Sequence, residues 1–407
     1  MESFKNLKIL TYSRPFDNEF NLRQRYFMTA LEEYANKFNG RIEIVSQSQY
    51  DKIASFFGKV SQTPKLKRIN RLKSFEKLFE KIRMLLEGPL LTPSYYFHKL
   101  VGQYLISVND IEDYKICIEL ADGWSVVCND LLNWCDIYFK AGYFSHENYP
   151  EKVVPIYHTH PQIIGNLEEL YNYRKIKKKY DISFIVRTWC GQSYFEPFEH
   201  NMRLIEEISK VDCKKFLYVY LLGGESEAKK VEDKLKKQNI PCGRKPIPMS
   251  QSWKISAQSQ LNIVRLGVNY FLPWRPFELF AMGACMVFDA TPRTIWPVPL
   301  VENHNFLSLN LNWCKQPVIT GIGYGKSGPD YVEYRREYRR KLVATEEEYL
   351  TIPQKIESWL AAKEKIERMS KNNADYFDRY LEPIQIAKYI LNTMINREEK
   401  DPKKNQK

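Results

Sequence analysis

Two hydrophobic periods alternate along this chain, and the switches between them predict its elements. LKILTY (Leu7–Tyr12) is a short apolar run that predicts a strand. From about Leu22, the apolar residues of LRQRYFMTALEEYANKF recur at helical spacing. RIEIV (Arg41–Val45), YKICIEL (Tyr114–Leu120) and DIYFK (Asp136–Lys140) predict further strands. VVPIYHTHPQI (Val153–Ile163), extended and carrying two prolines, reads as the passage between two domains.

A second cycle opens with the strand YDISFIVR (Tyr180–Arg187) and a helix from about Phe198 to Lys210. KFLYVYLLGG (Lys215–Gly224) predicts a strand ending in glycines, followed by the charged helix ESEAKKVEDKLKKQN. A short helix near Gln251–Ser259 leads to LNIVR (Leu261–Arg265), then RPFELFAMGACMVF (Arg275–Phe288), a short helix followed by a strand. From about Pro353 the chain is helical, anchored by Trp359, Ile366, Tyr376, Phe377, Tyr380 and Ile390.

Strand–helix alternation of this kind predicts parallel sheets covered by helices, an α/β class. The expected division is 1–160, 161–380 and a helix with a charged tail at 381–407. Two successive α/β domains suggest a cleft between them, with ligands outside the carboxyl ends of the strands. Functional candidates therefore follow strands: Ser13–Asn21, Asp122, Lys140, Arg187, Gly223–Glu225, Arg265 and Arg275–Glu278.

Length and composition agree with a folded protein. The 407 residues suffice for two ordinary cores, and 44% hydrophobic with 14% aromatic residues argues against disorder. Leu279–Phe288 is far too short to span a bilayer, and MESFKNLKILTYS lacks the apolar core of a signal peptide, so a cytosolic protein is expected. The eight cysteines form no CxxC pair and no cluster with histidine at metal-ligand spacing, which favours free thiols.

A net charge of +12 implies an acidic partner. The charge is clustered: residues 65–83 carry eight Lys/Arg against two Glu. Over 65–86 the apolar positions Ile69, Leu72, Phe75, Leu78, Phe79, Ile82, Leu85 and Leu86 share one helical face. Such a helix suits an anionic membrane surface, and suits equally well a helix packed on its own sheet with a solvated basic side. There is no nucleic-acid motif, so no specific nucleic-acid partner is expected.

In the Arg275 segment, Pro276 fits the first helical turn and Gly283 the end of a short helix. Glu278 then lies in the first turn, where the helix dipole alone favours a carboxylate. The functional reading is that Glu278 accepts hydrogen bonds from a polyol such as a ribose, while a neighbouring helix N-terminus holds a phosphate.

LNIVR followed by RPFELFAMGACMVFDA resembles the C-terminal domain of GT-B-fold glycosyltransferases, in particular the spore-maturation-protein-like group. IERMSKNNADYFDRYLEPIQIAKYIL is similar to their helical tail. The resemblance implies two Rossmann-like domains facing each other across a cleft, with C-terminal helices. It implies transfer of a sugar from a nucleotide-sugar donor to a glycan or lipid-linked acceptor, in cell-surface polysaccharide or glycolipid synthesis, with retention of configuration. Glu278 falls where the second glutamate of a paired motif binds the ribose, and Arg275, Pro276 and Phe277 fall in the same donor segment. Arg187 fits the diphosphate-binding arginine. Arg265 or Arg275 would replace a lysine expected near Gln192, and Gly224 lies at a donor-side turn.

The sequence departs from that pattern at Tyr270, where the first glutamate would fall, and in the glycine-free loop after the first strand. Arg14, Asn18, Asn21 and Arg23 offer side-chain contacts there instead, and Lys140 is a candidate for an anionic acceptor. Asp122, in ELADGW, is the candidate catalytic or acceptor-contacting carboxylate, or a turn residue. No DxD motif is present, which favours a metal-independent mechanism with arginines on the leaving diphosphate. His158 and His160 lack further ligands nearby and read as linker or core residues. Arg187 and Arg265 read equally as ion-pair partners, and Arg275 as the partner of Glu278. A non-catalytic glycan- or nucleotide-binding protein and a sugar-nucleotide epimerase remain the alternatives.

Overall fold

The computed structural model describes residues 7–12, 18–38, 40–45, 101–108, 112–121, 129–190, 197–315 and 342–398. They divide into two compact units: residues up to Tyr157 with those from Pro383 onward, and the residues in between.

The first unit contains β1 (Leu7–Tyr12), α1 (Asn18–Lys37), β2 (Arg41–Val45), β3 (Val101–Val108), β4 (Glu112–Glu119), α2 (Asn129–Trp134), β5 (Ile137–Lys140) and β6 (Val153–Pro155). The strands form one sheet in the order β2-β1-β3-β4-β5-β6. This sheet is mixed rather than parallel, because β3 runs antiparallel to both β1 and β4. Residues Val101–Ile106 of β3 are buried without alternation, so the strand carries no two-residue period to announce it. Val153–Pro155, expected to be linker, is instead a strand paired with β5, with proline at the sheet edge.

Lys140, proposed from sequence as an acceptor contact, is wholly buried and bonded to Glu119, its parallel neighbour across β4 and β5. Glu119 also accepts from the Tyr138 hydroxyl at 2.7 Å. Every residue of β5 is buried, so both faces of the sheet are packed there, and a carboxylate sits beside Lys140 because a lone buried ammonium is too costly.

The second unit begins with a 3-10 turn, Pro161–Ile163, and contains α3 (Leu167–Tyr173), β7 (Tyr180–Cys190), α4 (Phe198–Lys210), β8 (Lys215–Gly223), α5 (Glu225–Lys237), β9 (Cys242–Gly243) and α6 (Met249–Ala257). It continues with β10 (Ser259–Val264), α7 (Arg275–Ala281), β11 (Met286–Phe288), β12 (Phe306–Ser308), α8 (Glu346–Leu350), α9 (Ile352–Ala361) and α10 (Lys363–Tyr376). All pairings are parallel, in the order β12-β11-β10-β7-β8-β9. Taken in chain order, strands one to three step away from β7 on one side and strands four to six step away on the other. That is the Rossmann order, with its reversal between β7 and β10.

Met286, Val287 and Phe288 are completely buried, as are Leu261, Ile263 and Val264 of β10. Strands covered by helices on both faces carry apolar runs of this kind, broken in β10 by the buried Asn262, whose amide donates to the Ser256 carbonyl at 3.1 Å. Gly223 closes β8 at φ +108°, and a Cβ there would stand 2.1 Å from the Cys190 carbonyl oxygen, so only glycine fits. After a π-helical turn at Phe377–Leu381, α11 (Pro383–Glu398) belongs to the first unit. There Tyr389 donates its hydroxyl to the Pro155 carbonyl at 2.7 Å and sets its ring against Phe139 and Tyr157.

Lys140→Met strands Glu119 in the core without its cation, and should cost about 3–5 kcal/mol of unfolding free energy. Urea denaturation measures this. An unchanged midpoint would return Lys140 to the list of ligand contacts.

Candidate functional site

The reversal between β7 and β10 places the candidate site in the segments that leave those strands. β10 is followed by Arg265 and a tight loop in which the Gly267 N–H donates to the Phe271 carbonyl at 2.7 Å. Inside it, Asn269 and Tyr270 lie in the left-handed region at φ +64° and +59°. Non-glycine residues there cost on the order of 1–3 kcal/mol each and persist only where surroundings hold them.

Tyr270 is buried and held through its hydroxyl, its carbonyl and its ring. Its hydroxyl accepts from the Cys314 N–H at 2.8 Å and donates to Asn312 Oδ1 at 3.1 Å. Its carbonyl accepts from the Arg293 N–H, whose guanidinium also lies 4.8 Å from the ring centre. Burial pushes the phenol up to about 12. At the position where the resemblance expects a carboxylate, this chain has a structural anchor that shapes the turn into α7.

α7 opens with Arg275 and Pro276 and ends at Gly283, at φ +58°, where an added Cβ would crowd Ala374 and Ser370. Pro276 and Phe277, grouped with the donor contacts from sequence, are buried, and the Phe277 ring packs edge-on against Phe377 at 5.6 Å. They seat the helix. Glu278 is the buried residue with chemistry: its side chain is 9% exposed and its Oε1 stands 3.2 Å from His160 Nε2. Among the described residues, no side chain hydrogen-bonds its carboxylate, and the His160 contact is one of proximity.

Arg275 does not pair with Glu278. Its Nη1 and Nη2 donate to Ser252 and Ser256 on α6, at 3.2 and 2.7 Å, and its Nε has no partner. Burial draws the guanidinium's pKa down, and the charge of Glu278 opposes that.

Two histidines frame Trp274, the residue before α7. The Trp274 indole N–H donates to His158 Nε2, so His158 carries its proton on Nδ1 and donates it to the Leu272 carbonyl at 3.0 Å. His160 packs edge-on to the same indole at 5.5 Å. Its Nδ1 is buried without a partner. Burial lowers its pKa, Glu278 works in the opposite direction, and Arg275 adds to the lowering. Both histidines are thus buried, as expected, but His160 meets the candidate carboxylate. With 117 residues between them, no local motif could have joined the pair.

A second network stands at the ends of β10 and β11. Asp289 accepts from the Leu266 N–H at 2.9 Å and meets His200 Nε2 at 2.9 Å. The Tyr349 hydroxyl lies 2.7 Å from His200 Nδ1 and accepts from the Ala344 N–H. Tyr349 therefore donates to His200, which donates to Asp289. The His200 ring stacks on Trp313 at 4.8 Å. These residues escaped sequence reasoning because they are scattered over four elements.

The remaining candidates divide. Arg265 donates to the Leu266 carbonyl at 2.9 Å, and its Nε has no partner. Arg187 is exposed, three residues before the end of β7; the strand runs on to Cys190 instead of stopping at Arg187. Gly224 precedes α5, where the Glu227 carboxylate occupies the space a Cβ would take. Asp122, Arg14, Gln192 and the basic segment 65–86 lie outside the described residues, as do the side chains of Asn18, Asn21 and Arg23. Among the described residues no cluster of three metal-ligating side chains occurs, and no helix is long and apolar enough to cross a membrane.

No family model matches the chain, and no curated protein sequence matches it. Solved structures do. HepE of Anabaena, determined in complex with UDP-glucose, aligns over 96% of this chain and all of its own, at 9% identity and a TM-score of 0.42. A glycosyltransferase from Rickettsia africae aligns over 89% of this chain and 99% of its own, at 11% identity and TM-score 0.33. The C-terminal domain of the group 1 glycosyl transferase LpcC from Francisella tularensis covers 53% of this chain and 93% of its own, at 11% identity and TM-score 0.29. Likeness of this degree assigns no chemistry to the chain.

The lowered pKa values of His160 and His200, both caused chiefly by burial, set a direction for stability. Below the ordinary value of 6.5 the unfolded chain binds protons that the folded chain refuses. Stability is therefore complete above that pH and falls as pH drops through it, by up to about 1.4 kcal/mol per pH unit for each histidine. Urea unfolding at pH 7.5 and 5.5 tests this, and His200→Phe should lose its share of the slope.

Proposed function

We propose that the chain is a GT-B glycosyltransferase that binds a nucleotide sugar in its second unit and transfers the sugar to a glycan or lipid-linked acceptor. One observation carries the reading. Glu278 is a buried carboxylate, in the segment that leaves β10 at the strand-order reversal of a Rossmann sheet, with no side-chain partner besides His160 among the described residues. A carboxylate in that state is ready to accept hydrogen bonds from a vicinal diol, and the resemblance of its segment to donor-binding segments makes that diol a ribose. Arg265 at the end of β10 and Arg187 near the end of β7 belong to the two strands flanking the reversal, and are assigned to the diphosphate. Without a metal, such cations stabilise the leaving nucleoside diphosphate. Retention of configuration, an acceptor in cell-surface polysaccharide or glycolipid synthesis, a role for Asp122 at the acceptor and docking of residues 65–86 on the inner membrane face complete the proposal.

The Tyr270 anchor favours a second reading, a nucleotide- or glycan-binding protein without turnover, since the phenol is committed to Asn312 and Cys314 where a carboxylate is expected.

A thermal-shift panel of UDP, GDP, ADP and CDP without added metal separates these outcomes. A ligand at one hundred times its Kd stabilises the folded state by about 2.7 kcal/mol. One nucleotide should raise the melting temperature of the wild type and leave Glu278→Ala unmoved. Silence from all four at millimolar concentration would overturn the donor-site reading. Binding without sugar release from the matching nucleotide sugars, across a panel of acceptors, would favour the second reading.

A further inference from the structure

We infer that Asp289 is the positioning residue for Arg265: its backbone and its carboxylate hold the two peptides that flank Arg265, and so set the direction in which the guanidinium leaves β10. This rests on the donor-site reading above, in which Arg265 meets the diphosphate, and adds the residue that aims it.

Both peptides are held by hydrogen bonds. The Asp289 N–H donates to the Val264 carbonyl at 3.3 Å, which fixes the peptide before Arg265. Asp289 Oδ1 accepts from the Leu266 N–H at 2.9 Å, which fixes the peptide after it. The first bond prolongs the pairing of β10 with β11 by one step, and any residue with an N–H could make it. The second needs a side-chain acceptor at this position. Because peptides are planar, holding both fixes φ and ψ of Arg265 and the direction of its Cβ. The side chain then folds over the next peptide, with Nη1 donating to the Leu266 carbonyl at 2.9 Å.

The acceptor is itself held in place. Asp289 is wholly buried, and its Oδ2 accepts from His200 Nε2 at 2.9 Å. The Tyr349 hydroxyl holds the other nitrogen of His200 at 2.7 Å, and Trp313 stacks on the ring. Burial lowers the His200 pKa, Asp289 opposes this, and the charge of Arg265 adds to the lowering. Asp289 is thus fixed by a neutral donor on one side and gives its other oxygen to the backbone beside Arg265. The guanidinium pairs with no carboxylate among the described residues, and neither its Nε nor its Nη2 has a partner there. A cation so placed keeps its charge for an anion. Fixing its stem in advance removes an ordering cost from binding, which raises affinity without a new ligand contact.

Asparagine at 289 keeps an oxygen for the Leu266 N–H, whereas alanine removes it and leaves the backbone bond to Val264. Titration calorimetry with UDP, GDP, ADP and CDP finds the diphosphate that binds, and is repeated with its nucleoside. The variants are Asp289→Asn, Asp289→Ala, Arg265→Met and the double variant Asp289→Ala/Arg265→Met. Loss of charge-assisted hydrogen bonds predicts roughly thirtyfold weaker diphosphate binding for Arg265→Met. A guanidinium that must be ordered on binding predicts a loss of about fivefold to tenfold for Asp289→Ala. Asp289→Asn should stay within about twofold of wild type, and the double variant should match Arg265→Met, because Asp289 acts only through Arg265. The nucleoside should bind Asp289→Ala as it binds wild type. Equal loss in Asn and Ala overturns the inference alone, as does a double variant whose losses multiply, or an equal loss of nucleoside binding. If Asp289→Ala fails to fold, His200→Phe takes the donor from Oδ2 instead. Diphosphate binding about threefold weaker, with no further loss beside Arg265→Met, then supports the inference, and no weakening overturns it. Wild-type affinity in Arg265→Met removes Arg265 from the diphosphate and this inference with it, and leaves the ribose contact of Glu278 standing. No binding by the wild type overturns this inference together with the donor-site reading.

Discussion

A parallel sheet covered on both faces leaves its polar chemistry to the segments that leave the strands, and the second unit is built on that restriction. β11 is apolar from end to end, and β10 carries only the uncharged polar residues Ser259, Gln260 and Asn262. Charged side chains appear only where the two strands stop, at Arg265 and Asp289. Of the residues proposed for the donor, Arg265 stands at the first of those stops and Glu278 lies in the segment that follows it, while Arg187 belongs to β7. Asp289 ties the end of β11 to the start of the loop after β10. The loop then spends two left-handed residues to turn toward α7, and Tyr270, Arg293 and Asn312 hold it in that shape.

The same restriction governs charge. A buried carboxylate needs a partner: Glu207 has Arg203 and Lys210, whereas the groups beside Asp289 and Glu278 are neutral imidazoles. His200 serves Asp289 as a neutral imidazole, its other nitrogen taken by Tyr349. His160 faces Glu278 in the same neutral form, but its other nitrogen is left empty. A fully satisfied network of the first kind rigidifies a core, whereas a buried polar group left without a partner costs stability.

Much of this architecture is legible in the sequence. The strands at Leu7, Arg41, Tyr180 and Lys215, the helix at Phe198 and the Arg275 helix closed by Gly283 follow from period, capping and glycine placement. What stayed hidden has a physical cause in each case. β3 is buried without alternation, so its antiparallel insertion left no trace. Lys140 looks like a cation at a strand end until Glu119, 21 residues earlier, is seen to share its burial. Glu278 could be singled out because its helix start is local. Its partner His160 could not, because their meeting depends on how the segment before α3 folds against α7.

Glu119 and Glu278 contrast a carboxylate committed to the core with the one proposed for the donor. Both are buried in α/β units, and burial alone would assign them the same role. Glu119 gives one oxygen to Lys140 and the other to the Tyr138 hydroxyl, with no exposure left. Glu278 faces one neutral imidazole at 3.2 Å and keeps a small opening to solvent. Its desolvation is only partly offset, and a ligand with two adjacent hydroxyls would offset the rest. In the unliganded fold that shortfall costs stability. A carboxylate held at such a cost, on a short helix that follows a loop held in left-handed backbone, fits the proposed donor site, in which stability is traded locally for a ligand.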